Sequence, residues 1–152
     1  MRPVWYTDGS TKGNGTKNAH GGFGVVCVDE DTQKILYQYQ EFVEHTTNNR
    51  MEMEAIIHAV KQAYAAHLYQ NAPIIKSDSA YAVNTFTSWM YGWQRNGWKR
   101  PGNKPVENLD LVKEFYELQD AGQLCILQHI RGHIGNKWNE YCDALATGKV
   151  KI

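Results

Sequence analysis

The residue patterning predicts an α/β domain: a central five-stranded mixed sheet, three antiparallel strands followed by parallel ones, flanked by helices. Three observations carry this. Three strand-like stretches come in succession before any helical period begins. A long helical stretch then separates the first strand from a short apolar run. The remainder reads as helix, strand and helix.

Residues 3 to 8 alternate, with Val4, Tyr6 and Asp8 on one face, Trp5 and Thr7 on the other, and Gly9 as the expected stop. Ser10 to Gly22 is polar and glycine-rich, as a loop is, and leads into the run Phe23 to Val28. After turn residues Asp29 to Thr32, a third strand is expected over about Lys34 to Val43. Asn48 is placed to cap a long helix in which Met53, Ile56, Ile57, Val60 and Tyr64 recur at helical spacing to about His67.

Pro73, Ile74 and Ile75 read as a short buried strand ending at Asp78, and Ser79 to Trp93 returns to the helical period. Asn96 to Pro105 holds two Gly and two Pro and reads as irregular. Glu107 to Gln119 is a helix broken by Gly122, Leu124 to Ile130 a strand, and Lys137 to Thr147 a closing helix. A right-handed crossover through the long helix makes the first and fourth strands parallel. As neighbours they set Asp8 and Asp78 at adjoining carboxyl ends, about 4.8 Å apart across the sheet, at the edge where open α/β sheets place ligands.

The 152 residues suit one domain over residues 1–152, and 42% hydrophobic with 12% aromatic content excludes a disordered chain. Met1 to Tyr6 has no basic segment leading into an apolar one, and no apolar run approaches a membrane span, so a cytoplasmic protein is expected. Cys27, Cys125 and Cys142 lie far apart without metal-ligand spacing and read as reduced core thiols. Sixteen Lys and Arg against sixteen Asp and Glu give no bulk charge to attract a polyanion, so any such attraction must be local.

The acidic residues each admit a plain explanation. Asp8-Gly9-Ser10 suits a turn, Asp78-Ser79 a helix cap, and Asp143 an amphipathic helix edge. Glu52 and Glu54 are separated by helix phase, since residues two apart point about 200° away from each other. Glu52 aligns with Ile56 and Ala59 beside the buried stripe. Glu54 aligns with His58 and Lys61, a solvated face with an ordinary ion pair. In the last helix Trp138, Cys142 and Leu145 mark the apolar stripe, Asp143 borders it, and Asn139, one turn earlier, is placed to orient that carboxylate. Four carboxylates in one pocket repel unless cations neutralise them, and hard oxygen ligands select Mg²⁺ or Mn²⁺ over zinc. Two such ions would activate a water and stabilise the leaving oxygen in phosphodiester hydrolysis, with no covalent nucleophile.

The chain resembles the type 1 ribonucleases H, in particular their bacterial branch, over essentially its whole length. The resemblance runs in order through Tyr6-Thr7-Asp8-Gly9-Ser10, Gly21-Gly22-Phe23-Gly24, Thr46-Thr47-Asn48-Asn49-Arg50-Met51-Glu52, Ser77-Asp78-Ser79-Ala80-Tyr81, Gly97-Trp98-Lys99, Lys104-Pro105-Val106, Arg131-Gly132-His133 and Asn139-Glu140-Tyr141-Cys142-Asp143. It implies a ribonuclease H-like fold and endonucleolytic cutting of the RNA strand of RNA/DNA hybrids. Asp8, Glu52, Asp78 and Asp143 match the family's metal-binding carboxylates, implying two Mg²⁺ ions with substrate, or Mn²⁺. His133 matches a mobile-loop histidine serving proton transfer or product release. Asn14, Asn48 and Asn49 match groove residues on the hybrid, and Thr47 and Asn108 match a pocket for a phosphate of the DNA strand. Trp89, Trp93 and Trp98, interleaved with Arg95, Lys99, Arg100 and Lys104, resemble the family's basic handle, which supplies local positive charge and implies substrate contact by Trp89, Lys99 and Arg100. A monomer without an obligate protein partner is expected. The loop from Gly13 to His20 is longer than the family pattern, and Ala80 stands where relatives often carry a polar base-contacting side chain. A noncatalytic nucleic-acid binding module, or another nuclease or strand transferase of the same fold, are the alternatives. The complete acidic set weighs against the first, and the Thr46 to Glu52 string with the handle against the second.

Overall fold

The computed structural model describes residues 1–14, 20–132 and 135–152. Strands β1 (Pro3–Lys12), β2 (His20–Asp29) and β3 (Lys34–Glu44) are followed by helix α1 (Asn48–Ala66) and strand β4 (Ile74–Ser77). A helical segment comes next, made of α2 (Ala80–Asn84), a π-helical stretch Thr85–Trp89 and α3 (Met90–Arg95). A hairpin of β5 (Lys99–Arg100) and β6 (Lys104–Pro105), then α4 (Leu109–Asp120), β7 (Ile126–His129) and α5 (Lys137–Thr147) complete the order. The five-stranded sheet runs β3-β2-β1-β4-β7, antiparallel from β3 to β1 and parallel from β1 to β7. The expected mixed sheet is present.

Alternation along the strands divides the core between two faces. Trp5, Val25, Cys27 and Ile75 pack with Met53, Ile56 and Val60 of α1 and with Val112 and Phe115 of α4. Val4, Tyr6, Val26 and Val28 pack with Trp138 and Cys142 of α5. Central β1 is therefore buried on both sides through Asp8. Each fully buried large apolar side chain contributes roughly 1.5–3 kcal/mol relative to exposure.

The structure corrects the sequence reading at five places. First, β1 does not stop at Gly9: it continues to Lys12, paired with a β2 that begins at His20, so part of the expected loop is strand. The glycines there answer to space. A Cβ on Gly22 would meet the carbonyl oxygen of Ala146 at 2.4 Å, and one on Gly24 that of Cys142 at 2.5 Å, so α5 lies directly on β2. Second, the α1 cap is Thr47, whose hydroxyl accepts the Arg50 N–H, while the Asn48 side chain instead accepts from the Thr11 amide and hydroxyl on β1.

Third, the helix from Ser79 is interrupted by the π-helical stretch, which shifts phase between Tyr81 and Trp89. Fourth, the stretch read as irregular folds into the β5–β6 hairpin, with Asn96 donating to the Lys99 carbonyl and Arg100 to that of Pro105. Fifth, Lys61 pairs with Glu114 of α4 rather than with Glu54, because α1 packs against α4. Among the described residues, no helix is long and apolar enough to cross a membrane.

Contact between α5 and β2 tests this packing. Gly24→Ala places a methyl 2.7 Å from Leu145 Cβ as well as against the Cys142 carbonyl. It should lower unfolding free energy by about 1–3 kcal/mol in urea titration, the usual cost of overpacking a well-filled core. A midpoint equal to the parent's would contradict the close approach.

Candidate active site

Parallel pairing of β1 with β4, through Tyr6 beside Lys76 and Thr7 beside Ser77, carries Asp8 and Asp78 to neighbouring positions. Asp78 follows the last residue of β4 and is not the helix cap. Ser79 holds that role, its hydroxyl accepting from the Ala82 amide, which leaves the Asp78 carboxylate to the site. Glu52 arrives from the first turns of α1. A Cβ on Gly9 would lie 2.5 Å from the Glu52 nitrogen, so strand and helix backbones meet there. The Gly9 amide donates to Glu52 Oε1. One carboxylate oxygen each from Asp8, Glu52 and Asp78 lie within 4.8 Å of one another.

The chemistry of this triad is that of crowded acids. Asp8 is 2% exposed, and burial, then the Asp78 charge, pushes its carboxyl up to about 8. Burial and the charges of Asp8 and Asp78 raise Glu52 well above the usual carboxylate range. Asp8 Oδ2 is buried with no hydrogen-bond partner. Clustered carboxylate oxygens, one of them unsatisfied, fit a hard divalent cation: it supplies the missing ligand and the missing charge together. Asp8, Glu52 and Asp78 are the residues that would hold it. Glu54 lies outside this group.

Asp143 stands further off. It is not within the tight triad, but its charge contributes to raising Asp8. Its placement depends on Cys142, whose buried thiol donates to the Tyr6 carbonyl at 3.2 Å and ties α5 to β1 two residues before Asp8. Asn139, one turn before Asp143, is fully buried. The backbone beside Asp78 is close as well: a Cβ on Gly132 would lie 2.8 Å from Asp78 Oδ2. His133 and residues 15–19 of the long loop lie outside the described residues.

Five of the other expected residues converge. Asn14, Thr47, Asn48, Asn49 and Asn108 line one concavity together with Glu107. Asn14 Oδ1 accepts the Asn48 amide at 3.2 Å, so the loop start is tied to the α1 amino terminus. The handle is divided. Trp89, 45% exposed, lines a groove with Trp93, Arg95 and Lys99, whereas Arg100 faces Tyr81, Trp89 and Glu107 in a separate hollow. Trp98 turns away from both and meets Tyr116 of α4 edge-on at 5.3 Å. Tyr81, Glu107 and Arg50 escaped the sequence reading as members of this surface. Arg50 sits inside the Thr46 to Glu52 string, but no periodicity signals which neighbour a long side chain will reach.

The family model described as RNase H matches residues 2–151. The ribonuclease H of Thermoanaerobacter sp. (strain X514) is 38% identical over 150 residues, 96% of this chain and 88% of the relative. That of Chlorobaculum parvum (strain DSM 263 / NCIMB 8327) is 39% identical over 150 residues, 96% and 93% respectively. Among solved structures, LC9-RNase H1, described as a type 1 RNase H with the type 2 active-site motif, superposes with a TM-score of 0.74 at 31% identity, covering 96% of this chain and 70% of that one. Family match, relatives and a partly buried acidic triad at the β1–β4 edge agree: this chain belongs to the ribonuclease H family.

Proposed function

We propose that this ribonuclease H cuts the RNA strand of RNA/DNA hybrids endonucleolytically, as one catalytic domain, with Asp8, Glu52, Asp78 and Asp143 holding Mg²⁺. The observation that carries the reading is the convergence of three carboxylate oxygens within 4.8 Å, and a groove lined by Asn14, Thr47, Asn48, Asn49, Asn108 and Glu107 accompanies it. Two divalent ions, when bound, supply activation of the attacking water and charge stabilisation of the leaving oxygen. The chain's own groups do the rest. Asp8 and Glu52 present acceptor oxygens held by β1 and by the Gly9 amide. Cys142 ties the helix that carries Asp143 to β1, and Asn139, one turn earlier, orients that carboxylate. By the family resemblance His133 serves proton transfer or product release.

Short polar groups suit the substrate. Asn14, Asn48 and Asn49 read the hybrid's groove, where 2′-hydroxyls distinguish the RNA strand, and Thr47 with Asn108 takes a phosphate of the DNA strand. Trp89, Lys99 and Arg100 extend the contact along the duplex. The bulk charge of zero is no obstacle, because the cations of the handle act locally.

Cleavage should appear with Mg²⁺ on the RNA strand of an RNA/DNA duplex and be absent on matched RNA/RNA and DNA/DNA duplexes; cutting of the DNA strand would refute the reading. Asp78→Asn should abolish turnover while hybrid affinity in a gel-shift assay stays within about threefold, since shape is kept and one ligand charge is lost. Loss of both together would contradict the role given to Asp78.

Stability should report the same crowding. In the unfolded chain Asp8 titrates near 4, whereas in the metal-free fold it is raised to about 8. Between those values the fold holds a proton that the unfolded chain has released, so rising pH destabilises the metal-free protein across this window. A divalent cation relieves the repulsion. The melting-temperature gain from Mg²⁺ over EDTA should therefore widen from pH 5 to pH 8, and a gain that stays constant would argue against cation binding by these acids.

A further inference from the structure

The junction of α1 and α4 carries a side-chain network that the carboxylate site does not use. The Arg50 guanidinium donates through both Nη atoms to the two oxygens of Asp110, at 2.9 and 2.7 Å. Its Nη1 lies 3.4 Å from Asn108 Oδ1. Asn108, held in the left-handed region at φ 56° just before α4, places its Nδ2 3.3 Å from the Tyr81 hydroxyl. Three residues before Arg50 on the α1 side, the Thr47 hydroxyl oxygen accepts the Arg50 backbone amide at 3.2 Å.

Donor and acceptor logic decides what this arrangement presents. A guanidinium has no acceptor, so it fixes which end of the Asn108 amide faces it: the carbonyl oxygen. The amide nitrogen is then left with one hydrogen for Tyr81 and one for a ligand. Thr47 likewise uses its oxygen on the Arg50 amide and keeps its hydroxyl proton to donate. Asn108 and Thr47 line the same concavity, with Glu107 as the acidic group in its lining, and the hydrogens these two have left to donate have the polarity a phosphate oxygen requires. The two-pronged contact with Asp110 offsets the Arg50 charge and leaves orientation as its contribution.

We infer that Arg50 is a positioning residue for a substrate phosphate, holding the Asn108 amide with its donors outward beside Thr47. This rests on the reading of Thr47 and Asn108 as the phosphate pocket. The role is geometric, so lysine cannot fill it: the charge stays near Asp110, but one ammonium cannot form the two-pronged contact and hold Asn108 as well.

The test is steady-state cleavage of the hybrid with Mg²⁺ by Arg50→Lys, Asn108→Ala and the double variant, each checked for an intact fold by circular dichroism and thermal melting. Arg50→Lys should raise KM about tenfold while kcat changes less than about threefold, the pattern of lost substrate binding rather than lost chemistry. The double variant should be no worse than Asn108→Ala alone, because Arg50 acts through that amide. Hybrids carrying single neutral methylphosphonates along the DNA strand give a second readout. One position should weaken the parent but leave Arg50→Lys nearly unaffected, which a general loosening of α1 against α4 would not produce. A parental KM for Arg50→Lys, additive effects in the double variant, or an unchanged methylphosphonate profile would each overturn the inference. Parental KM values for both Asn108→Ala and Thr47→Val would instead remove the phosphate pocket itself, and the inference with it.

Discussion

The backbone contact between β1 and α1 at Gly9 is the constraint on which the site depends. No side chain fits there: a Cβ would stand 2.5 Å from both the Met51 carbonyl carbon and the Glu52 nitrogen. That closeness lets a strand residue and a helix residue offer carboxylates to one point, and it directs the Gly9 amide at Glu52. The same economy recurs at Gly22 and Gly24, where α5 settles on β2, and at Gly132 beside Asp78. At Gly9, Gly22 and Gly24 backbone is brought against backbone, and at Gly132 backbone against the Asp78 side chain.

Such delivery opposes stability. With carboxylate oxygens within 4.8 Å, burial and neighbouring charge raise the proton affinity of Asp8 and Glu52, and a buried Asp8 oxygen is left without a partner. The surrounding structure is correspondingly firm. Val4 and Tyr6 on β1 pack with Trp138 and Cys142 of α5, and Trp5 and Ile75 pack with α1 and α4. Two apolar layers thus hold in place a polar cluster that would otherwise push itself apart. Function and stability meet on β1, whose residues 3 to 7 serve the core and whose Asp8 serves the site.

Much of this was legible in the sequence. Period-two alternation in β1, helical period in α1 and the crossover between them were enough to set Asp8 beside Asp78, and helix phase alone separated Glu52 from Glu54. The glycine-rich stretch before Phe23 misled because glycine signals both turns and close packing, and only the position of α5 tells which. Thr47 took the cap from Asn48 because β1, running on to Lys12, offered Asn48 the Thr11 amide and hydroxyl. The π-helical stretch is a change of phase within a helix, and composition does not reveal it. Trp89 and Trp98 look alike in the sequence, yet one is 45% exposed and the other packs on Tyr116.

The order of strands in the sheet also bears on how the chain reaches its native state. β1, β2 and β3 are joined by short connections and can pair locally, whereas β4 and β7 join β1 only after long excursions of chain. Parallel pairing of that kind closes large loops before any contact repays them and forms slowly. Asp8 sits on one side of this divide and Asp78 on the other. A hairpin intermediate built from the first three strands would contain an ordered β1 without the triad, and would pay none of the repulsion that the finished site carries. On such a route the acids would come together only once the parallel strands pair, with the core that restrains them.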